Sequence, residues 1–453
     1  MYLYPTVKKK ILTLLSATLC IIHAHQPITA QSTISGDVQN FSAIQTYSNN
    51  DLINARNRLK INVNHATSFG EIHAETQIYH NYNDSFDIEL LLRELYSDIY
   101  TSDYDIRIGL QRLTTGRSDA GFVTNIYSGI DFRDFLTKEP DEIILGTLAI
   151  NVRRYFDQNS VQLILSPTHN KSRLPGLSSR WFPIQNIEGP FEIKLLKDNQ
   201  KYSLSEFSGS LSYSNRSIPN LDIDFNLLYW NYPSPSFGFR FNNIDRGQNV
   251  ELDLIETYEK SIMVGLSGQV QLSPSWFITG ETLFVQNRLF TFSTIPTNQL
   301  EAASNDPFTA FQVLSQFSER NDNYLMGKPW IHTMAGVQSE MFGITISGQL
   351  YLEWILDYDQ RILAQPFFPY ATLLLTRTFY RDRLNLSSLY RFNFAGNDWL
   401  YQLQGTYEIT DGFEATIGTN LMGGNEADPY YGHFSFNQYR DNSFIFLRIT
   451  YYF

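Results

Sequence analysis

The chain has 453 residues and a formal net charge of −12. No basic stripe runs along it, so the electrostatic footprint of a nucleic-acid-binding protein is missing and no nucleic-acid partner is expected. The length exceeds that of a usual single domain, yet one closed β-barrel can absorb it, because each strand adds to the same sheet.

The first thirty residues have the pattern of a cleaved secretory signal peptide. Three lysines at 8–10 precede an apolar core at 11–22, and Ala30 is a small residue before a cut at Gln31. The single cysteine, Cys20, lies inside this segment. The mature chain would therefore lack disulfides, cysteine nucleophiles and thiolate metal sites. Beyond residue 30, no window approaches the ~18 apolar residues of a membrane helix.

Alternation of apolar and polar residues is the main structural signal after residue 30. It recurs in segments of ten or more residues, longer than the roughly 5–6 residues of strands in globular proteins. In 411–421, for example, Phe413, Ala415 and Ile417 alternate with polar or small residues. Counting such segments predicts an all-β fold, a transmembrane antiparallel up-and-down β-barrel of about 18 strands, give or take two.

The links between these segments alternate in length, as expected for short periplasmic turns and long extracellular loops. The short turns are predicted at 67–68, 101–103, 156–158, 215–219, 273–275, 342–343, 381–382 and 410–412. The longer links are predicted at 47–51, 82–87, 113–141, 168–199, 233–250, 289–328, 357–367, 395–398 and 423–442.

Two of the longer links carry specific predictions. Residues 113–141 are long enough to fold inward, and we expect this loop to constrict the barrel. Residues 289–328 should contain a helix, because Asp306 can cap it and Pro307 suits its first turn. Residues 31–453 are thus predicted to form a single barrel.

The last strand supports export to the outer membrane of a diderm bacterium. Alternate residues from Ile445 to Phe453 are apolar or aromatic and share one face. A terminal strand ending in Phe453 resembles the assembly signal of outer-membrane barrels, which predicts the barrel assembly machinery as a partner. Membrane lipid and lipopolysaccharide are the other expected partners; the basic link 168–199, with Lys171, Arg173 and Arg180, is either a phosphate-attracting loop or simply solvated.

Residues 94–133 carry a family resemblance. They read ELYSDIYTSDYDIRIGLQRLTTGRSDAGFVTNIYSGIDFR. This resembles the alginate-export and related porin-like family, in which E-A-Y is followed by G-R-Q, W-G-R-A-D and an Asp-Arg pair. The matching residues are Glu94, Tyr96, Gly109, Gln111, Gly116, Arg117, Asp119, Asp131 and Arg133, whereas Leu110 and Thr115 depart from the pattern. The resemblance implies an eighteen-stranded barrel that passes a solute or exports a polymer.

Strand parity then nominates residues that line the lumen, where charge and pore radius decide what passes. The pore-lining or constriction residues are predicted to be Arg56, Arg58, Lys60, Glu94, Arg107, Gln111, Arg112, Arg117, Asp119, Asp131, Arg133, Arg153, Glu281, Glu353, Arg391 and Arg448. Arg93 and Arg154 fall on the lipid side by the same parity, so they either reach an interface or mark a register error. Alternatively, the inward charges pair across the lumen and simply fill it. We expect alanine at Arg117 and Arg133 to alter conductance or anion preference.

Motifs for enzymes are missing from the sequence: there is no G-x-S-x-G, H-E-x-x-H, P-loop or dinucleotide fingerprint. We therefore predict a non-enzyme without cofactor or metal. The expected function is an outer-membrane channel or exporter for small polar or anionic solutes, including saccharides. The alternatives are a plugged barrel used for binding, adhesion or structure, a barrel-embedded enzyme, and a secreted soluble all-β protein.

Overall fold

The computed structural model describes residues 31–47, 51–82, 87–119, 121–169, 171–182, 191–197, 206–244, 250–294, 324–425 and 435–453. The predicted signal peptide and the predicted helix at Asp306 lie outside these residues. The strands, in chain order, are β1 (Ser32–Gln45), β2 (Leu52–Thr67), β3 (Gly70–Asn81), β4 (Asp87–Tyr100), β5 (Tyr104–Gln111), β6 (Thr147–Phe156), β7 (Asn159–Ser166), β8 (Phe191–Leu196), β9 (Ser208–Ile218), β10 (Leu221–Asn231), β11 (Ser236–Ile244), β12 (Val250–Thr257), β13 (Lys260–Ser273), β14 (Trp276–Thr291), β15 (Leu325–Met341), β16 (Ile344–Ile355), β17 (Phe367–Phe379), β18 (Leu384–Asn393), β19 (Asp398–Thr410), β20 (Phe413–Gly424) and β21 (Phe444–Tyr452).

Eighteen of these strands form one closed antiparallel barrel, which confirms the predicted fold and strand number. Each barrel strand pairs with the next one along the chain, and β21 pairs with β1 to close the sheet. Closure leaves no unpaired sheet edge. At the seam, the backbone of Phe453 exchanges hydrogen bonds of 2.9 and 3.0 Å with Gly36. Among the described residues, no helix is long and apolar enough to cross a membrane.

The two faces of the barrel wall have opposite character. On the outside, Leu350 and Ile417 are 63% and 69% exposed, whereas their neighbours Gln349 and Thr416 are 3% and 5% exposed on the inside. A soluble protein buries apolar side chains and exposes polar ones. An apolar exterior around a polar interior is the pattern of a barrel surrounded by lipid.

Short turns and long links alternate along the whole barrel, as the sequence predicts. Seven of the eight turns at one end span two or three residues, and the turn 380–383 spans four. The links at the other end are longer, except that 394–397 has four residues, as many as the turn 380–383. Some of them contain structure that alternation did not predict: β8, β11 and β12 form a separate three-stranded sheet. This sheet is fastened to the barrel rim where Ser236 Oγ donates to the carbonyl of Leu289 at 2.7 Å.

Two β-bulges invalidate simple parity. Between β3 and β4, Glu75 pairs with Glu94 and Thr76 with Leu92, so Arg93 is an extra residue. A bulge turns two successive side chains toward one face. Of the two alternatives given for Arg93, the register error is therefore the correct one, and its side chain lies inside the barrel. The pairing of β1 with β2 skips Ile53 in the same way, and this isoleucine is buried inside the barrel.

Candidate functional site: the inward loop and the two walls it contacts

One long link enters the barrel. Residues 112–146, here called the inward loop, connect β5 to β6 and include a 3-10 turn at Phe135–Thr137 and a short helix, α1, at Pro140–Ile143. A backbone bridge between Ile130 and Ile144 closes the stem of the loop. Arg173, from the next long link, exchanges 2.8 Å backbone hydrogen bonds with Ile130 and Phe132. The stem is thus held by backbone groups and not by side chains alone.

The first half of the inward loop packs into an apolar core. Val123, Ile126 and Tyr127 are buried against the inner faces of β10 and β13–β17, where Leu283 and Met263 have no exposed surface. We call this side of the lumen the apolar wall, made of Leu228, Trp230, Met263, Leu283, Val285, Trp330, Met334, Tyr351, Ile355, Phe368 and Tyr370. Each large apolar side chain buried here contributes about 1.5–3 kcal/mol.

Polar contacts fix the same half of the loop. Arg117 lies 3.1 Å from Asp224 and donates to Gln269 at 3.0 Å. Glu281 accepts a 3.0 Å hydrogen bond from the Thr124 hydroxyl and another from the backbone of Arg117. Gly116 sits over Glu281 with φ +99°, and a β-carbon there would lie 3.0 Å from its carboxylate. A larger residue would therefore collide with Glu281 in a strained backbone conformation.

The loop tip near residue 119 also contacts β16, a strand that carries part of the apolar wall. The backbone N–H of Asp119 donates to the side chain of Gln349 at 2.9 Å, and its carboxylate accepts a hydrogen bond from Ser347. Ser347 and Gln349 lie on β16, across the lumen from the strands that carry the loop. The inward loop therefore spans the lumen.

The second half of the inward loop faces a row of cations. We call Arg56, Arg58, Lys60 and Arg448, on β2 and β21, the basic wall. The guanidinium of Arg56 donates to the hydroxyl and carbonyl of Thr137 at 2.9 and 2.6 Å. Arg56 and Arg58 are almost fully buried.

Carboxylates of the loop meet this basic wall directly. Glu142 forms ion pairs with Arg56, at 3.5 Å, and with Arg58. Glu139 forms an ion pair with Arg448. Both acids belong to a reciprocal capping box at the start of α1, which positions them on one turn. Sequence reasoning missed this pair, although the string Glu-Pro-Asp-Glu is a recognisable helix start.

A second cationic cluster holds the base of α1. Arg93, turned inward by its bulge, donates to the carbonyls of Glu142 and Ile144 at 2.7 and 2.6 Å. Arg112 lies 2.8 Å from both Glu75 and Glu94. These contacts explain why Glu94 faces inward.

One group of side chains has metal-ligand chemistry. The ligand atoms of His73, Glu75 and Glu94 lie within 4.8 Å of one another, although the histidines looked dispersed in the sequence. The guanidinium of Arg112 already sits 2.8 Å from each carboxylate. Because that cation supplies the positive charge which a metal ion would bring, the cluster fits an ion-pair network better than a metal centre.

Asp131 and Arg133 are joined to each other at the stem of the inward loop. Their side chains lie 2.8 Å apart, and Lys138 lies 3.2 Å from the same carboxylate. Burial alone would raise the pKa of Asp131, but Lys138 and Arg133 outweigh it and hold that pKa at about 2. In spite of burial, Asp131 and Glu89 raise the pKa of the Arg133 guanidinium. This pair is consequently charged across the physiological range.

Two predicted residues of β5 lie on the inner face but away from the loop carboxylates. Arg107 makes a bidentate pair with Asp98 at 2.7 and 2.8 Å. Gln111 is fully buried and donates to the carbonyl of Ala149 at 3.0 Å. Each of these side chains has its partner on a neighbouring strand of the barrel.

The remaining predicted residues are spread around the inner face. Arg153 donates to Gln162 at 3.0 Å, and Glu353 stands opposite His332 in the register of β15 and β16. The guanidinium of Arg391 lies 4.0 Å from the ring centre of Tyr370. Arg154, in contrast, is exposed near the turn at the end of β6, where it covers aromatic rings, as expected for an arginine that reaches an interface.

A cavity of about 200 Å³ separates the inward loop from the basic wall. Arg58, Lys60 and Arg448 line it from the barrel strands together with Asp37 and Glu414, and Glu139 and Asp141 line it from the loop. Charged groups of opposite sign therefore face each other across a small water-accessible space. Such an arrangement creates a strong local field.

Comparisons with known proteins show likeness of fold. No known family matches the sequence, and no curated protein matches it. Among solved structures, OccK3 (OpdO) of Pseudomonas aeruginosa superposes with a TM-score of 0.51 at 8% identity, over 93% of this chain and 96% of that chain. OccAB4 of Acinetobacter baumannii gives 0.51 at 8% identity, over 93% and 98%.

A third structure, OccK2 (OpdF) of Pseudomonas aeruginosa in complex with glucuronate, gives a TM-score of 0.50 at 8% identity, over 93% of this chain and 98% of that chain. At this identity the likeness concerns the fold alone. The chain thus has a porin-like, closed eighteen-stranded barrel, and its function has to be argued from its own residues.

Proposed function

We propose that this protein is an outer-membrane channel that passes small anionic solutes between the inward loop and the basic wall. The observation that carries the proposal is the cavity in which Arg58, Lys60 and Arg448 stand on the barrel strands beside Asp37 and Glu414, with loop carboxylates opposite them. The three cations along one side of this narrow passage attract anions and set their path. The inward loop is the proposed constriction.

The membrane placement is supported by the outer surface. Large apolar side chains are exposed all around the barrel, as on Leu90, Leu266 and Leu350. Aromatic residues such as Tyr100 and Trp276 are exposed at strand ends, where girdles at the membrane–water interface are expected. Water around this surface would make it an aggregation hazard.

Carboxylates are the proposed chemical class of solute. Arg58 already holds two carboxylates of the protein, Asp37 and Glu142, so the wall has the geometry for that group. The structural neighbour OccK2 was solved with glucuronate, a sugar acid. Small uronates are therefore the first solutes to test. Polymer export, which the alginate-export resemblance implies, rests on motif residues such as Glu94 and Arg117 alone.

A plugged barrel is the second candidate. Above the basic wall, Trp181 and Tyr439 from two long links stack at 6.0 Å, and Tyr439 donates to the carbonyl of Phe182 at 3.2 Å. Asn442 bonds to the carbonyl of Arg180 at 2.7 Å. These contacts cover the mouth on that side. In this arrangement the barrel would bind a partner or lipid through its loops and pass nothing.

Assembly and export complete the proposal. The strand β21 ends at Tyr452 and is followed by Phe453, which is half exposed beside β1. We propose that this strand is read by the barrel assembly machinery after a signal peptide at 1–30 has been cleaved. The basic link 168–199 remains a proposed contact for lipopolysaccharide phosphates.

Single-channel recording in a planar bilayer tests the channel against the plugged barrel. We expect stable openings that favour anions in a potassium chloride gradient and that are blocked by glucuronate more than by glucose. The variant Arg448→Gln should weaken both effects, whereas Arg154→Gln, on the outer surface, should not. A folded barrel without openings would favour the plugged form.

A further inference from the structure

The turn between β17 and β18 differs from the other short turns of the barrel. It has four residues, Tyr380 to Arg383, where the others have two or three. Tyr380, Arg381 and Asp382 all have positive φ, of 52°, 58° and 67°. L-residues avoid this left-handed region, most strongly in consecutive positions. Strained backbone of this kind persists where a functional site requires it.

The same turn concentrates positive charge. Arg377, Arg381 and Arg383 lie within seven residues. Within the described part of the chain, none of the ion pairs involves these three arginines. At the β9–β10 turn, by contrast, Arg216 lies 2.7 Å from Asp224. A protein of net charge −12 thus leaves three neighbouring cations without an acidic partner of its own.

One of these cations, Arg377, lies on the outer surface of the barrel, and Arg381 and Arg383 lie within the turn itself. Phe379, Leu384 and Tyr407 stand side by side in the register of β17, β18 and β19, which puts them on one face. Tyr407 is exposed there. Arg377 pairs in register with the exposed Leu386 and covers the ring of Phe379 at 4.6 Å. An arginine on a lipid-facing surface is unfavourable unless it meets an anion or reaches water.

Asp382 does not neutralise the cluster. Its carboxylate accepts a 3.0 Å hydrogen bond from the hydroxyl of Thr378. Glu408 donates its backbone N–H to the carbonyl of Arg383 at 2.8 Å, so these two residues are cross-strand neighbours on the side opposite to that of Tyr407. Arg377 on the outer face and Arg381 in the turn form no ion pair among those of the described residues.

A hollow of about 580 Å³ lies at this rim, lined by Tyr380, Arg381, Arg383 and Tyr407. We propose that it binds the phosphate of an anionic glycerophospholipid in the periplasmic leaflet. Guanidinium groups bind phosphate through paired hydrogen bonds, and tyrosines favour the headgroup level. An acyl chain would continue along Leu386 and its exposed neighbours. The inference rests on the membrane placement proposed above, but not on the channel.

The experiment measures lipid retained by the purified full-length protein. The protein is kept in detergent micelles with equal amounts of phosphatidylglycerol and phosphatidylcholine, and bound lipid is counted by native mass spectrometry. We expect selective retention of phosphatidylglycerol. The double variant Arg381→Gln/Arg383→Gln should retain it about thirtyfold more weakly, because the loss of each cation near the headgroups weakens binding by a similar factor and the two factors multiply. Arg381→Lys/Arg383→Lys should restore only the part of the binding that depends on charge and not on paired hydrogen bonds.

Matched controls test whether a loss of lipid retention is specific to the turn between β17 and β18. Arg154→Gln removes a single outward arginine at another rim position and should leave retention unchanged. Equal loss in Arg154→Gln, equal retention of phosphatidylcholine, or unchanged binding in the double glutamine variant would each overturn the proposal. If inorganic phosphate displaced the bound phosphatidylglycerol, the ligand of the hollow would be free phosphate and not a lipid headgroup. Bilayer conductance of the same preparations reports separately on the proposed channel.

Discussion

The two halves of the inward loop are held in different ways. Around Val123 and Ile126, apolar side chains are packed against the apolar wall and exclude water. Around Glu139 and Glu142, carboxylates face the basic wall across a cavity. A dissolved ion cannot replace the contacts of a packed apolar side chain, whereas it can take the place of one partner in an ion pair. The proposed solute path therefore follows the basic wall and not the apolar wall.

Removal of Glu142 should have the largest effect on the half of the loop that faces the basic wall. The variant Glu142→Ala leaves Arg56 buried without its acidic partner and leaves Arg58 with Asp37 alone, and breaking a buried pair in this way costs about 3–5 kcal/mol. We expect a lower unfolding midpoint in detergent. The freed arginines should also raise the anion-to-cation permeability ratio in bilayers.

The matched control for Glu142 is Glu340→Ala. Glu340 is exposed at the short-turn end of β15 and forms no ion pair among those of the described residues. It should behave like the parent protein in both measurements. If Glu142→Ala kept the parent's stability and selectivity, the acid would not hold the loop against the basic wall.

Truncation of the apolar wall should have a different signature. Leu283 has no exposed surface, so Leu283→Ala leaves a cavity and costs about 3 kcal/mol of unfolding free energy. Ion selectivity should stay that of the parent, because no charge changes. Leu283→Met conserves volume and should cost less. A shift in selectivity with Leu283→Ala would mean that the solute path touches the apolar wall.

Acid should weaken the stem of the loop through Asp131. Its pKa of about 2 lies below the ordinary value of 3.8. A depressed pKa stabilises the folded state above about pH 4, and the contribution, about 2 kcal/mol, disappears as the pH falls from 4 to 2. Unfolding midpoints measured over this range should fall steeply for the parent and less for Asp131→Asn. Asp103→Asn, in an exposed turn, should follow the parent; parallel curves for all three would contradict the assignment.

The sequence allowed the barrel to be predicted because its signal is local. Alternation along each strand and the lengths of the links depend on neighbouring residues, so strand number and the alternation of turns could be counted. The bulges at Arg93 and Ile53 could not, since an extra residue is defined only by its partner strand. Parity beyond a bulge is reversed, which is why Arg93 was misplaced.

The pairing inside the lumen depends on distant residues. Arg448 meets Glu139, and Arg117 meets Asp224, across more than a hundred residues of chain in each case. Parity placed Arg448 inward, and the charge cluster of the loop pointed to Arg117, but neither signal showed which acid each arginine would meet. Residues 113–141 were expected to fold inward from the length of the loop, and the capping box could have identified Glu139 and Glu142 as a pair.

Lys60 offers the smallest and most selective change. It lines the cavity, its side chain is 24% exposed, and its contact with Asp37 is 3.7 Å long, so it holds the loop less than its neighbours do. Partly exposed charges contribute up to about 1 kcal/mol. Lys60→Gln should therefore lower the anion-to-cation permeability ratio about twofold while the unfolding midpoint stays unchanged. Lys60→Arg should keep the parent ratio. If Lys60→Gln changed stability and left selectivity intact, the cavity would be a structural ion-pair site and not part of a passage.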